Sequence, residues 1–137
     1  MANAASNYLE NALLNHVLTG TGYTQPSTRY LALFNGTAST ILTNLEAGTL
    51  TNEVSTGSYA RTVITFGAAA SGSITNSNTV TFPTATANYA STVTCIAVMD
   101  STSSGNVLFY GELTQSKTVT TGDTFQVSPS NLTITLS

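Results

Sequence analysis

The chain has 137 residues, with three Lys/Arg against six Asp/Glu and a formal net charge of −3. Charged residues make up 7% of it, where an average soluble domain carries about 25%. The three cations, Arg29, Arg61 and Lys117, cannot build a phosphate-neutralising patch, and no apolar run reaches the ~18 residues of a membrane span, so nucleic acid and membrane are excluded as partners.

The first element is a helix over residues 6–19. Leu9, Leu13 and Val17 recur four apart, with Leu14 and Leu18 widening the stripe, and all three are expected to pack inward. Ser6 or Asn7 supplies the N-cap, and Gly20 is a natural stop. His16 lies beside the stripe as a histidine bonded to a neighbour. Met1-Ala2-Asn3-Ala4-Ala5 has neither the basic nor the apolar region of a signal peptide, which places synthesis in a cytoplasm.

Everything from residue 28 to 136 reads as strand and turn. Thr28–Phe34 is the strongest strand, with Tyr30 and Phe34 on one face and Leu31 and Leu33 on the other. Apolar residues on both faces imply a central strand, or a helix lying over one side. Asn35–Thr56 is polar and looser, an excursion anchored by Ile41, Leu42 and Leu45. In the next strand, Ser58–Phe66, Tyr59 and Arg61 alternate with apolar neighbours. Glu53 and Arg61 flank the turn at Gly57 and can form an ion pair across a hairpin.

Short strands then follow at Thr79–Phe82, Ser91–Met99, Asn106–Leu113, Lys117–Thr120, Asp123–Val127 and Leu132–Leu136, separated by Asn-, Ser- and Gly-rich turns. Cys95, the single cysteine, sits in an apolar run and reads as a buried, inert thiol. The pattern predicts one all-β domain over residues 1–137, a β-sandwich or jelly roll of about seven to nine strands with one N-terminal α-helix. Leu9, Leu13, Val17, Tyr30, Phe34, Tyr59, Arg61, Phe82 and Cys95 are its candidate structural residues.

Chemistry is harder to find. A nucleophile needs a base beside it, and the only histidine is on the helix. Glu46, Glu53, Asp100, Glu112 and Asp123 form no pair at catalytic spacing. Gly20-Thr21-Gly22 follows a helix, the reverse of the order that aims amides at phosphate. Asp100–Asn106 offers one carboxylate where a calcium loop uses several, so it reads as a hairpin turn. The expectation is a non-enzymatic protein with no catalytic, cofactor or metal site. A surface this poor in charge relies on its hydroxyls or is covered by neighbours, as in a building block of an assembly.

Several blocks carry a resemblance. They are Leu14-Asn15-His16-Val17-Leu18-Thr19-Gly20, Tyr23–Phe34, Glu53-Val54-Ser55-Thr56-Gly57-Ser58-Tyr59-Ala60-Arg61, Val80-Thr81-Phe82-Pro83-Thr84-Ala85, Gly105–Leu113 and Lys117–Asp123. In this order they resemble a family of short virion structural proteins of tailed bacteriophages, labelled as tail-fibre or head-decoration proteins. The resemblance implies a virion location after synthesis in the host bacterial cytoplasm. The expected role is capsid decoration, a cement protein clamping neighbouring major capsid proteins. The alternative is a tail-fibre or baseplate module, with tail proteins as partners. A homo-oligomer is expected, a trimer by analogy with how such proteins work. Contact residues are expected in polar turns and on the Asn35–Thr56 excursion.

Overall fold

The structure is a computed structural model that describes residues 3–136; Met1, Ala2 and Ser137, the ends of the expected 1–137 unit, lie outside the described residues. Among the described residues there are nine strands and two α-helices, in the order β1 (Asn3–Ala5), α1 (Asn7–Leu14), β2 (Arg29–Asn35), α2 (Ala38–Glu46), β3 (Thr62–Ile64), β4 (Ser73–Thr75), β5 (Val80–Thr81), β6 (Val93–Met99), β7 (Val107–Lys117), β8 (Gln126–Val127) and β9 (Thr133–Thr135). A π-helical segment, Asn15–Thr19, continues α1.

Five strands form an antiparallel sheet in the order β1-β7-β6-β2-β3, and β4-β9 and β5-β8 form two short ladders. The architecture is all-β with an N-terminal helix. Its 5 + 2 + 2 pairing differs from the two sheets of an eight-stranded jelly roll.

The register explains why the central strands are apolar on both faces. β2 and β6 pair Leu31 with Val98 and Leu33 with Ile96 on one face, and Ala32 with Ala97 and Phe34 with Cys95 on the other. The first face meets Val80, Phe82, Val119, Phe125, Leu132 and Ile134 of the second β layer, which makes a sandwich core. The other face is covered by Ile41 and Leu45 of α2, over Phe34, Met99 and Val107. Small residues on that face (Ala32, Cys95, Ala97) let the helix lie close.

The covering helix therefore arises from the Asn35–Thr56 segment, which corrects its reading as a polar loop. Ile41 and Leu45 stand one turn apart, and they are the two buried residues of α2. The strand expected over Ser58–Phe66 shrinks to Thr62–Ile64, because Ser58–Arg61 are held by side-chain contacts instead of a ladder. Lys117 belongs to the long β7, which bulges where Val93 pairs with Lys117 and Cys95 with Glu112. Only Gln126–Val127 of the expected Asp123–Val127 strand pairs. The ladders β1 and β4 fall in stretches too short and too rich in Ala, Asn and Ser to be read as strands.

Candidate assembly surface

The charged centre of the body lies inside it. Arg61 donates from Nε to Glu53 Oε1 at 2.7 Å and from Nη2 to Glu53 Oε2 at 2.8 Å, a two-pronged pair whose Arg side chain is 3% exposed. Nη1 donates to the carbonyls of Ser101 and Ser104 in the β6–β7 turn, at 2.7 and 2.8 Å. Tyr59 donates its hydroxyl to Glu53 Oε1 at 2.9 Å and accepts the Leu33 amide at 3.0 Å. Burial, and then the charge of Glu53, push the Tyr59 phenol well above its ordinary range, which keeps its proton in place for Glu53. Hydrogen bonding to Glu53 likewise raises the Arg61 guanidinium.

This clasp joins the loop after α2, β2 and the β6–β7 turn. The Glu53–Arg61 ion pair forms as the sequence suggested, although the intervening loop is not a paired hairpin. The β6–β7 turn is itself tied by Asp100, which accepts from the Asn106 amide and side chain at 2.7 and 2.8 Å. Gly105 serves it with φ +75°, and an added Cβ would lie 2.5 Å from Asp100 Oδ1.

The other candidate residues of the body are also internal. Phe34, Phe82 and Cys95 are buried, and Tyr30 is half-buried against the α2 side of the sheet. Phe82 stacks on Tyr59 with ring centroids 6.1 Å apart and meets Phe125 edge-on at 5.7 Å. Burial raises the Cys95 thiol, whose Sγ lies 3.9 Å from the Ala38 carbonyl. The burial of two polar residues, Asn76 and the N-cap candidate Ser6, was not legible in the sequence. Asn76 donates to the carbonyls of Asn78 and Ser128 and accepts the Leu132 amide, bracing the second layer. Ser6 caps α1 through the Leu9 amide and donates to the Val107 carbonyl on β7. Each sits in a turn-like polar stretch, and neither burial nor a distant partner leaves a local signal there.

The N-terminal arm reverses this arrangement. Leu9 is buried and Leu13 is half-buried against the sandwich core, but Leu14, Val17 and Leu18 are 57, 73 and 75% exposed. The inward packing expected of Val17 is thereby corrected. From Asn15 onward the helix widens to π pairing, which turns later residues off the 3.6-residue stripe that Leu9 and Leu13 begin. Gly20 closes the segment with φ +75°.

The exposed end is a built structure. The Asn15 carbonyl accepts from Thr19 Oγ1 at 2.8 Å and from the Thr21 amide at 3.2 Å. His16 Nδ1 accepts the Tyr23 amide at 3.1 Å, the neighbour bond expected of this histidine. These bonds hold Val17 and Leu18 as a projecting aliphatic knob.

A second surface feature lies between the two β layers. A cleft of about 580 Å³ opens beside β3, walled by Val63, Phe66, Ile74, Phe109 and Ile134 with Arg29 among its polar lining. Arg29 Nη2 donates to the neutral Gln25 side chain at 2.8 Å, and no carboxylate pairs with it among the described residues. The outer edge of β3 is not open for strand addition. Asn78 plugs it, accepting the Thr65 amide at 2.9 Å and donating to the Val63 carbonyl at 3.1 Å. An apolar knob and an apolar-walled cleft thus both lie at the surface.

Among the described residues, no helix is long and apolar enough to cross a membrane, and no three His, Cys, Asp or Glu gather as a metal site. No curated protein matches the chain. A family described as "Podophage GP4 fiber I protein gp80" matches residues 4–135, nearly the whole chain. That finding favours the fibre-type alternative over the capsid-decoration expectation. With the match running from β1 through β9, the chain belongs to the podophage fibre I protein gp80 family of tailed-phage virion structural proteins.

Proposed function

We propose that this protein is a fibre-type structural subunit of a podophage particle, joined to other virion proteins through neutral, largely apolar contacts and carrying out no chemistry of its own. The observation that carries this reading is the family match across residues 4–135. The surface agrees with it. A subunit locked into a particle has no need of surface charge to stay apart from its neighbours, and here the ionic clasp is spent inside the body. The exposed Leu14, Val17 and Leu18 form a contiguous apolar end of the kind that marks an interaction site.

The reading is tested by gold-labelled antibody against this protein on intact particles, with its copy number measured against the major capsid protein. Label on the tail or its fibres at a small multiple of tail symmetry is the expected result. Label spread over the head, at copy numbers comparable with the capsid protein, would replace the fibre reading with capsid decoration. Absence from purified particles would overturn both.

A further inference from the structure

One hydrogen bond joins the end of the arm to the segment that leads into the body. The π segment closes on itself, with the Asn15 carbonyl accepting from the Gly20 and Thr21 amides and from Thr19 Oγ1. Beyond that closure, residues 22–24 make a single hydrogen bond among the described residues, from the Tyr23 amide to His16 Nδ1 at 3.1 Å. The Tyr23 ring is half-buried against the sandwich core. This bond therefore couples the exposed end of the arm to a residue that the body holds.

Only a neutral imidazole can make it. A neutral ring has one N–H and one acceptor nitrogen, so with Nδ1 accepting, the proton is assigned to Nε2. Protonation would turn Nδ1 into a donor facing another donor. The Asn15 closure is made of amides, a hydroxyl and a carbonyl, and none of these titrates. The charged and titratable groups around the joint are Tyr8 and Glu10 on α1, Tyr23 itself, Asp100 of the β6–β7 turn and Arg29 of β2. Among these side-chain types and His16, only an imidazole ordinarily changes charge between about pH 5 and pH 8. Burial, then Tyr8 and Asp100, raise the Tyr23 phenol, so it keeps its proton throughout that range.

We propose that His16 is an acid-released latch on the arm. Neutral, it ties the end of the arm to Tyr23. On acidification a solvent proton goes to Nδ1 while Nε2 keeps its own, and the Tyr23 amide turns to water. His16 is exposed, so both water and proton reach it. Residues 22–24 then loosen while the Asn15 closure stays shut and Leu9 and Leu13 keep the root of the arm on the core. Acid thus widens the swing of the end that carries Val17 and Leu18, without unfolding arm or body.

The test is an NMR series on the purified full-length chain, from about pH 8 to pH 5. The chain has one histidine, so its carbon-bound ring protons report His16 without ambiguity. The Tyr23 amide shift should follow the ring with the same midpoint. Its hydrogen exchange, corrected for the intrinsic effect of pH, should speed up about fivefold on protonation, the change for one net hydrogen bond. The Thr21 amide, held by Asn15, should not respond. His16→Asn offers an acceptor that does not titrate and should keep Tyr23 protected in acid, whereas His16→Phe should leave it unprotected at pH ~8. A Tyr23 amide indifferent to the ring titration would overturn the latch. So would equal exchange in wild type and His16→Phe, or an undiminished acid response in His16→Asn. The wild-type series needs no variant to fold, and circular dichroism melts check the two that are used. No particle is involved, so failure here and failure of the antibody labelling are read separately.

Discussion

The body and the arm of this protein treat polarity in opposite ways. The body encloses a charged pair, Arg61 and Glu53, and satisfies it with a phenol and two turn carbonyls, while the arm leaves Val17 and Leu18 in water. Burying an ion pair is costly unless its remaining hydrogen-bonding groups find partners, and exposing aliphatic groups forgoes burial that would otherwise stabilise the fold. The difference teaches where each region spends its stability. The clasp fixes the β6–β7 turn against β2, and the arm leaves an aliphatic surface in solvent.

The largest effect should come from breaking the clasp. Arg61→Ala would leave Glu53 without its counter-charge and free two carbonyls of the β6–β7 turn. A loss of about 3–5 kcal/mol is expected in urea unfolding. Arg61→Lys should restore only part of it, because an ammonium cannot reproduce the two-pronged geometry. If Arg61→Ala cost no more than an ordinary surface change, the clasp would be ornament to a fold held by apolar packing alone. Next comes Tyr59→Phe, which keeps the ring on Phe82 but removes the acceptor of the Leu33 amide and a donor to Glu53. Its cost should be about 1–3 kcal/mol, read in the same experiment.

The seam between the two regions is Ser6. It caps α1 and ties the arm's root to Val107 on β7, so Ser6→Ala should cost about 0.5–2 kcal/mol. Amide hydrogen exchange should speed up in α1 before it does so in β6, which separates loosening of the arm from damage to the body. The arm's tip should be more tolerant than any of these positions. Val17→Ser and Leu18→Ser remove apolar groups that touch no core, and each should change stability by under about 0.5 kcal/mol. A large loss there would mean that the knob packs on its own chain, and the contrast between the regions would collapse.

Sequence reasoning reached these regions unequally. Two-faced apolar strands such as Leu31-Ala32-Leu33-Phe34 are visible as pattern, and so are the Ser6 cap, the Gly20 stop and the Glu53–Arg61 pair, because each rests on nearby residues. The helix α2 was missed because Ile41 and Leu45, one turn apart, are its only buried positions within a polar stretch. The exposure of Val17 was missed for a different reason. Four-residue spacing from Leu9 and Leu13 assumes an unbroken α-helix, and the π segment at Asn15–Thr19 leaves no mark in residue type. The cleft was beyond reach altogether, since Arg29, Val63, Phe109 and Ile134 come from four strands distant in the chain.

The smallest effect concerns a charge that the body does leave exposed. Asp123 accepts the Thr120 amide at 3.0 Å and the Thr120 hydroxyl at 2.9 Å, and these bonds hold its carboxyl below the ordinary value of 3.8. The sign of the pH effect follows. The unfolded chain takes up the proton near 3.8, whereas the folded chain takes it up only at lower pH. The contribution to stability is therefore present above pH 3.8 and disappears as pH falls through the depressed folded value. Asp123→Asn should lower the melting temperature slightly at neutral pH, and its melting curve should converge on that of wild type in acid. Persistence of the full gap in acid would show that the turn depends on the shape of the side chain and not on its charge. The exposed charge would then matter as little to the body as the exposed aliphatics of the arm.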